Sequence, residues 1–218
     1  MAETVSSRAD VKSVAHSTVL VIDDDEDLRN SVGRLLRSVG LNTQLFASIP
    51  DFLKSERPNR PACLVLDIRL PGKSGLDFQR ELATANTHLP IIFITGHGDI
   101  PMTVQAMKGG AIEFLTKPFR EQDLLDAIQL GLERDSSWCK NETALGDLRA
   151  RFETLSPRER EIMIHVVRGR LNKQIAADVG ISETTVKVHR SNLMRKIKAR
   201  SLSELTRMAD KLKLVQEA

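Results

Sequence analysis

The chain contains no tyrosine, one tryptophan (Trp138) and 4% aromatic residues in all. That leaves no aromatic cage for a small organic ligand. Only two cysteines occur, Cys63 and Cys139, without the spacing of a metal site. A disulfide scaffold is not indicated, and a reducing compartment is the simpler reading. The first residues lack a basic start followed by an apolar run, so no secretion signal is read there. No apolar stretch nears the roughly 18 residues needed to cross a bilayer. These absences predict a cytosolic protein with no membrane partner, whose residues 1–16 form a frayed tail.

The net charge is only +3 over 218 residues, but it is unevenly spread. Residues 152–218 carry 14 Lys and Arg against 8 Asp and Glu; residues 1–151 carry 18 against 21. An acidic first part and a basic last part predict two partners, nucleic acid being the natural one for the basic part. The length suits two modest domains.

From Thr18 to about residue 134, apolar runs alternate with segments of helical period. Strands are expected at 18–22, 42–46, 62–66, 90–94 and 112–115, with helices between them. Ser48, Ser74 and Asp99 stand as N-caps, and Gly40 and Gly109-Gly110 as stops. A last helix is expected over 121–132. Continuous apolar strands alternating with helices imply a parallel sheet covered on both faces. Five such units predict a flavodoxin-like α/β domain of strand order 2-1-3-4-5, with its site at the carboxyl ends of the strands. Residues 135–152 read as a helical linker with Trp138, Leu145, Leu148 and Phe152 along one side. From 153 onward all periodicity is helical. Ser156–Glu159 and Ser201–Glu204 read as capping boxes, and 172–179, Gly180-Ile181 and 182–197 as helix, tight turn, helix. The expected organisation is a tail over 1–16, an α/β domain over 17–134, a linker over 135–152 and an all-α domain of four helices over 153–218.

The chemistry-bearing residues follow the strands: Asp23 and Asp24 the first, Asp67 the third, Thr95 the fourth, Lys117 the fifth. A parallel sheet brings these ends to one edge. Three carboxylates in one place repel, and a hard divalent cation relieves the conflict. Mg²⁺ takes oxygen ligands and accepts one or two carboxylates; Mn²⁺ is a substitute. Asp24 and Asp67 are read as direct ligands, Asp23 as acting through water, and the backbone carbonyl of Arg69 as a further ligand. A carboxylate beside such an ion can attack phosphorus and form an acyl phosphate. Lys117 would neutralise one phosphoryl oxygen and the Thr95 hydroxyl would hydrogen-bond another. Each element has a plain reading alone: the aspartates as helix caps, Asp67 as a loop residue, Lys117-Pro118 as a common loop dipeptide.

Taken together, Val21-Ile22-Asp23-Asp24-Asp25, Leu66-Asp67 through Pro71-Gly72, Ile94-Thr95-Gly96-His97-Gly98 and Phe114 through Lys117-Pro118-Phe119 resemble the receiver domain of two-component signalling. The resemblance implies that a sensor histidine kinase phosphorylates Asp67, with at most weak self-dephosphorylation and no enzyme activity besides. It also implies a cis Lys117–Pro118 bond and a switch in which Thr95 moves toward the phosphoryl group while Phe114 turns inward. For Phe114, ordinary core packing is the competing account. His97 is a candidate for tuning phosphoryl loss, against a solvated loop residue.

In the basic end, a helical wheel of 182–198 puts Val186, Leu193 and Ile197 on one face. Thr184, Lys187, Val188, Ser191, Arg195 and Lys198 fall on the other. Cations, hydroxyls and one small apolar group suit a major groove. Leu155 through Glu161, Asn172 through Ala176, and Glu183 through His189 resemble the LuxR-type helix-turn-helix. By that resemblance Lys187, Val188 and Ser191 meet bases, and Lys173, Thr185, His189, Arg195 and Lys196 the DNA backbone. The two domains together resemble the NarL/FixJ response regulators, nearest the FixJ/StyR branch. That implies promoter DNA, RNA polymerase and a phosphorylation-dependent homodimer as partners, in a transcription activator. Three other readings remain: a phosphorylation-independent regulator with a pseudo-receiver, a haloacid-dehalogenase-type phosphatase, and a quorum-sensing regulator.

Overall fold

The computed structural model describes residues 17–56, 58, 61–96 and 98–214; the readings for 1–16 and for His97 lie outside them. The chain divides into two compact units, Met1–Cys139 and Lys140–Ala218.

In the first unit five parallel strands run in the order β2-β1-β3-β4-β5. They are β1 Thr18–Ile22, β2 Asn42–Phe46, β3 Ala62–Asp67, β4 Ile91–Thr95 and β5 Glu113–Thr116. Side chains alternate across the pleat, and both faces are apolar. Val19, Val21, Cys63, Val65, Ile92 and Ile94 face one core. Leu20, Ile22, Leu64, Leu66, Ile91 and Phe93 face the other. Helix α1 (Glu26–Ser38) and the first turns of α5 (Glu121–Glu153) cover the first face through Val32, Leu36, Leu124 and Ile128. Helices α2 (Ile49–Lys54), α3 (Gly75–Thr84) and α4 (Ile100–Lys108) cover the second through Ile49, Leu76, Phe78 and Ala106. The expected caps are in place: Ser48, Ser74 and Asp99 each accept a hydrogen bond from a first-turn backbone N–H.

Strands β4 and β5 lie one residue later than the periodicity predicts, so Thr95 closes β4 opposite Thr116. The helix expected over 121–132 does not stop there. It continues without a break to Glu153, because the segment has no proline and neither Gly131 nor Gly146 takes a positive φ. Its apolar stripe serves two cores. Trp138 stacks on His88 of the first unit, rings 4.6 Å apart and 15° from parallel, whereas Leu148 and Phe152 pack into the second.

The second unit adds α6 (Pro157–Val167), α7 (Asn172–Val179), α8 (Glu183–Ile197) and α9 (Leu202–Lys211). The box at Ser156 is complete: its hydroxyl accepts from Glu159 N, and Glu159 Oε2 accepts from Ser156 N at 2.8 Å. The second box is only half formed. Ser201 caps Glu204 N, but the Glu204 carboxylate reaches one residue further back, to Arg200 N. Gly180 ends α7 at φ 70°, a conformation that favours glycine and makes the tight turn into α8.

Candidate functional site

The register of the parallel strands brings Asp23, Asp67, Thr95 and Lys117 to one edge of the sheet. Asp23 is fully buried, Thr95 likewise, and Asp67 is 6% exposed, while Asp24 lies open to solvent. One carboxylate oxygen from each of Asp23, Asp24 and Asp67 lies within 4.8 Å of the other two. Lys117 spans the pair beneath: its Nζ donates to Asp67 Oδ2 at 2.6 Å and to Asp23 Oδ2 at 2.8 Å. Burial pushes the Asp23 carboxyl above its ordinary pKa, with the Lys117 ammonium pulling the other way. Burial also works against the Lys117 charge, but the two carboxylates outweigh it and hold its pKa above the usual value.

Main-chain groups fix these side chains. Asp67 Oδ1 accepts from Arg69 N at 2.8 Å, and Asp23 Oδ1 from Asp25 N at 2.9 Å. Asp25 is occupied as the cap of α1. Lys117 N donates to the Thr95 carbonyl at 2.7 Å, and the Lys117–Pro118 bond is cis. Phe114 is half-buried against the core of the α3–α4 face. Its ring lies on Gly98, where an added Cβ would stand 2.8 Å from Cε1. The donor set is all oxygen, with three carboxylates against one ammonium, which suits a hard divalent cation such as Mg²⁺.

In the second unit α8 divides as its wheel predicts. Val186, Leu193 and Ile197 are buried in the core; Thr184, Lys187, Val188, Ser191, Arg195 and Lys198 are exposed. Lys173 and Thr185 are exposed as well, and His189 is half-exposed. The Thr185 hydroxyl pairs with Ser182 Oγ at 2.8 Å. Lys196 is half-buried. Its ammonium meets Glu159 Oε2 at 2.6 Å and the Thr154 carbonyl at 3.3 Å, so it is engaged within the unit.

Residues 19–129 match the family described as response regulator receiver domain, and residues 153–209 the bacterial regulatory proteins of the luxR family. Nodulation protein W of Bradyrhizobium diazoefficiens is 54% identical over 194 residues, covering 89% of this chain and 86% of that one. The transcriptional regulatory protein FixJ of Azorhizobium caulinodans is 44% identical over 191 residues, 88% of this chain and 90% of that one. The chain belongs to the NarL/FixJ family of response regulators. Its fold also matches a solved structure of the response regulator StyR, with TM-score 0.79 and 47% identity over 90% of this chain and all of that one. The regulator thus pairs a receiver domain with a LuxR-type DNA-binding domain. Among its described residues no helix is long and apolar enough to cross a membrane.

Three parts of the regulator's site escape the sequence reading. Arg29 on α1 donates to the Asp23 carbonyl at 2.7 Å and holds the turn that carries the acids. Gly75 lets the start of α3 approach the main chain of Asp67. Arg190 on α8 donates to Asn172 Oδ1 at 2.6 Å and ties the two helices of the DNA-binding motif together. The helical period flags none of them, since each partner is chosen by packing; only the glycine carried a hint, as a residue without Cβ just inside a capped helix.

Proposed function

We propose that this regulator takes a phosphoryl group from a sensor histidine kinase onto Asp67 and thereby controls its binding to promoter DNA. The observation that carries the reading is the Lys117 ammonium bridging Asp67 and Asp23, at 2.6 and 2.8 Å, at the carboxyl edge of the sheet. A lysine so placed neutralises an anion arriving at Asp67.

Asp23, Asp24 and Asp67, with the Arg69 backbone carbonyl, would hold Mg²⁺, or Mn²⁺ in its place. The ion supplies charge neutralisation to the transferring phosphoryl group. In the transfer, an Asp67 carboxylate oxygen forms a bond to phosphorus. The phosphorus–nitrogen bond of the kinase's phosphohistidine breaks, and the imidazole leaves with the electron pair. Lys117 then pairs with a phosphoryl oxygen and the Thr95 hydroxyl donates to another. Thr95 and Phe114 form the switch, and water slowly removes the group. The regulator is a phosphoacceptor and not a turnover enzyme; a haloacid-dehalogenase-type phosphatase would carry its nucleophile after β1, whereas Asp67 closes β3.

The receiver domain spans 17–134, a linker 135–152, and the DNA-binding domain 153–218. Phosphorylation biases the face made by α4, β5 and the start of α5 toward a homodimer. Ile100, Val104 and Met107 support this: spaced along α4, they are 80%, 45% and 42% exposed and form an apolar stripe. Two copies of α8 then enter successive major grooves. Lys187, Val188 and Ser191 meet bases, and Lys173, Thr184, Thr185, His189 and Arg195 serve around them. Lys196 was read from the sequence as a phosphate contact; its bond to Glu159 favours a structural role. The regulator works in the cytoplasm as an activator that recruits RNA polymerase.

The test is acetyl phosphate labelling with Mg²⁺, followed by intact-mass measurement. The wild type gains one phosphoryl group and Asp67→Asn, still folded by circular dichroism, gains none. Persistent labelling of that variant would reject the assignment.

A further inference from the structure

The carbonyls left over at the ends of α5 and α8 are satisfied by an exchange of cations between the two helices. Ile197 is the last residue of α8, and its carbonyl has no partner within the helix. Arg151, in the last turn of α5, fills that place: its Nη1 donates to the Ile197 carbonyl at 3.1 Å, while its Nε donates to Asp147 within its own helix. In return Lys196, beside Ile197, donates to the Thr154 carbonyl just past the end of α5. Cations at helix C-termini are favourable both as donors and as charges against the dipole.

The junction is also packed. Leu148 and Leu155 are each 3% exposed in the same core as Val186, Leu193 and Ile197, and Phe152 packs against that core. Arg160 of α6 lies 5.1 Å over the Phe152 ring and donates to the carbonyls of Glu153 and Leu155. The final turns of α5 are therefore built into the DNA-binding unit, and the C-terminus of α8 rests on them. Ser182 caps the other end of α8, and the Arg190–Asn172 bond holds its middle.

We propose that Arg151 is a positioning residue for DNA recognition. It fixes the C-terminal end of α8, so the DNA-reading module includes the last two turns of α5 as well as the segment that resembles LuxR-type domains. The proposal rests on the reading of α8 as the helix that enters the groove. Without Arg151 the last turn of α8 keeps its buried Leu193 and Ile197 and the Lys196 bonds, but loses the contact that sets its angle on α5. Base contacts need fixed geometry, whereas phosphate attraction tolerates a change in that angle.

The experiment uses the full chain, wild type, R151A and R151K, with acetyl phosphate and Mg²⁺ present. Each is titrated by fluorescence anisotropy against two duplexes: one selected from a random library by the wild type, and one of unrelated sequence. Circular dichroism at the binding temperature establishes that all three are folded. R151A should lose about tenfold in affinity for the selected duplex. It should change by less than about twofold on the unrelated one, since no phosphate contact has been removed. R151K, which can still donate to the Ile197 carbonyl, should recover most of the loss. Should R151A fail to fold, R151Q, an uncharged donor of shorter reach, gives the same contrast. An unchanged R151A, or an equal loss on both duplexes, would overturn the proposal; the second result would mark Arg151 as a phosphate contact or a prop for folding alone. A wild type that enriches no sequence from the library would sink the reading of α8 itself, and the role of Arg151 with it.

Discussion

A Cβ placed on Gly75 would stand 2.5 Å from the backbone carbonyl oxygen of Asp67. Gly75 N also donates to the Ile68 carbonyl at 2.9 Å, so the start of α3 is held against the chain that presents Asp67. Gly75→Ala forces one of them to move. The expected cost is about 1–3 kcal/mol of stability, read by urea denaturation, together with slower labelling by acetyl phosphate. Wild-type values for both would mean that α3 can retreat freely and that the close approach has no bearing on Asp67.

Lys117 is the cation that offsets Asp23 and Asp67. In Lys117→Met the two buried carboxylates lose the ammonium that bonds both, and an added divalent cation becomes the main relief. The variant should melt lower than the wild type in EDTA and gain more in Tm from millimolar Mg²⁺. Equal Mg²⁺ shifts in both proteins would show that the lysine does not shape this acidic cluster.

Glu159 supplies a pH dependence in the second unit. Burial pushes its carboxyl up, but Lys196 and the Ser156 N–H outweigh that and hold its pKa below the ordinary value. A group depressed in the folded state stabilises above its unfolded pKa, about 4.3, and loses that contribution as pH falls through the folded value. Glu159→Gln should therefore destabilise by about 1–3 kcal/mol at pH 7, with the gap to wild type closing in acid. A gap independent of pH would point to packing and not to charge.

On α8, Lys187 projects into solvent and Val188 is 55% exposed. Lys187→Ala should cost about 1–3 kcal/mol of specific binding if it meets guanine, with base preference relaxed at one position of the site. An unaltered footprint and affinity would place Lys187 away from the bases.

How much was legible in advance differs between the two kinds of element. The strands and caps of the receiver could be read because alternation and N-cap chemistry are local, and the convergence of Asp23, Asp67, Thr95 and Lys117 follows from parallel topology alone. The length of α5 could not, because a helix over 121–132 and a helical linker over 135–152 have the same local pattern whether they are two helices or one. The bond of Lys196 to Glu159 was not legible for another reason: a basic residue near the exposed face of a helix looks the same on a wheel whether it meets solvent or a buried glutamate in a neighbouring helix.

The order of strands and helices, the acidic and basic division of the chain, and the inward and outward faces of α8 were determined by sequence period and composition. Tertiary structure alone decided that Asp23 is sealed in while Asp24 is open, that Lys117 joins two carboxylates, and that Arg151 supports the end of α8. Those facts depend on which distant groups are brought within hydrogen-bond reach and how much water is left around them. Neither quantity is written in any local pattern of residues.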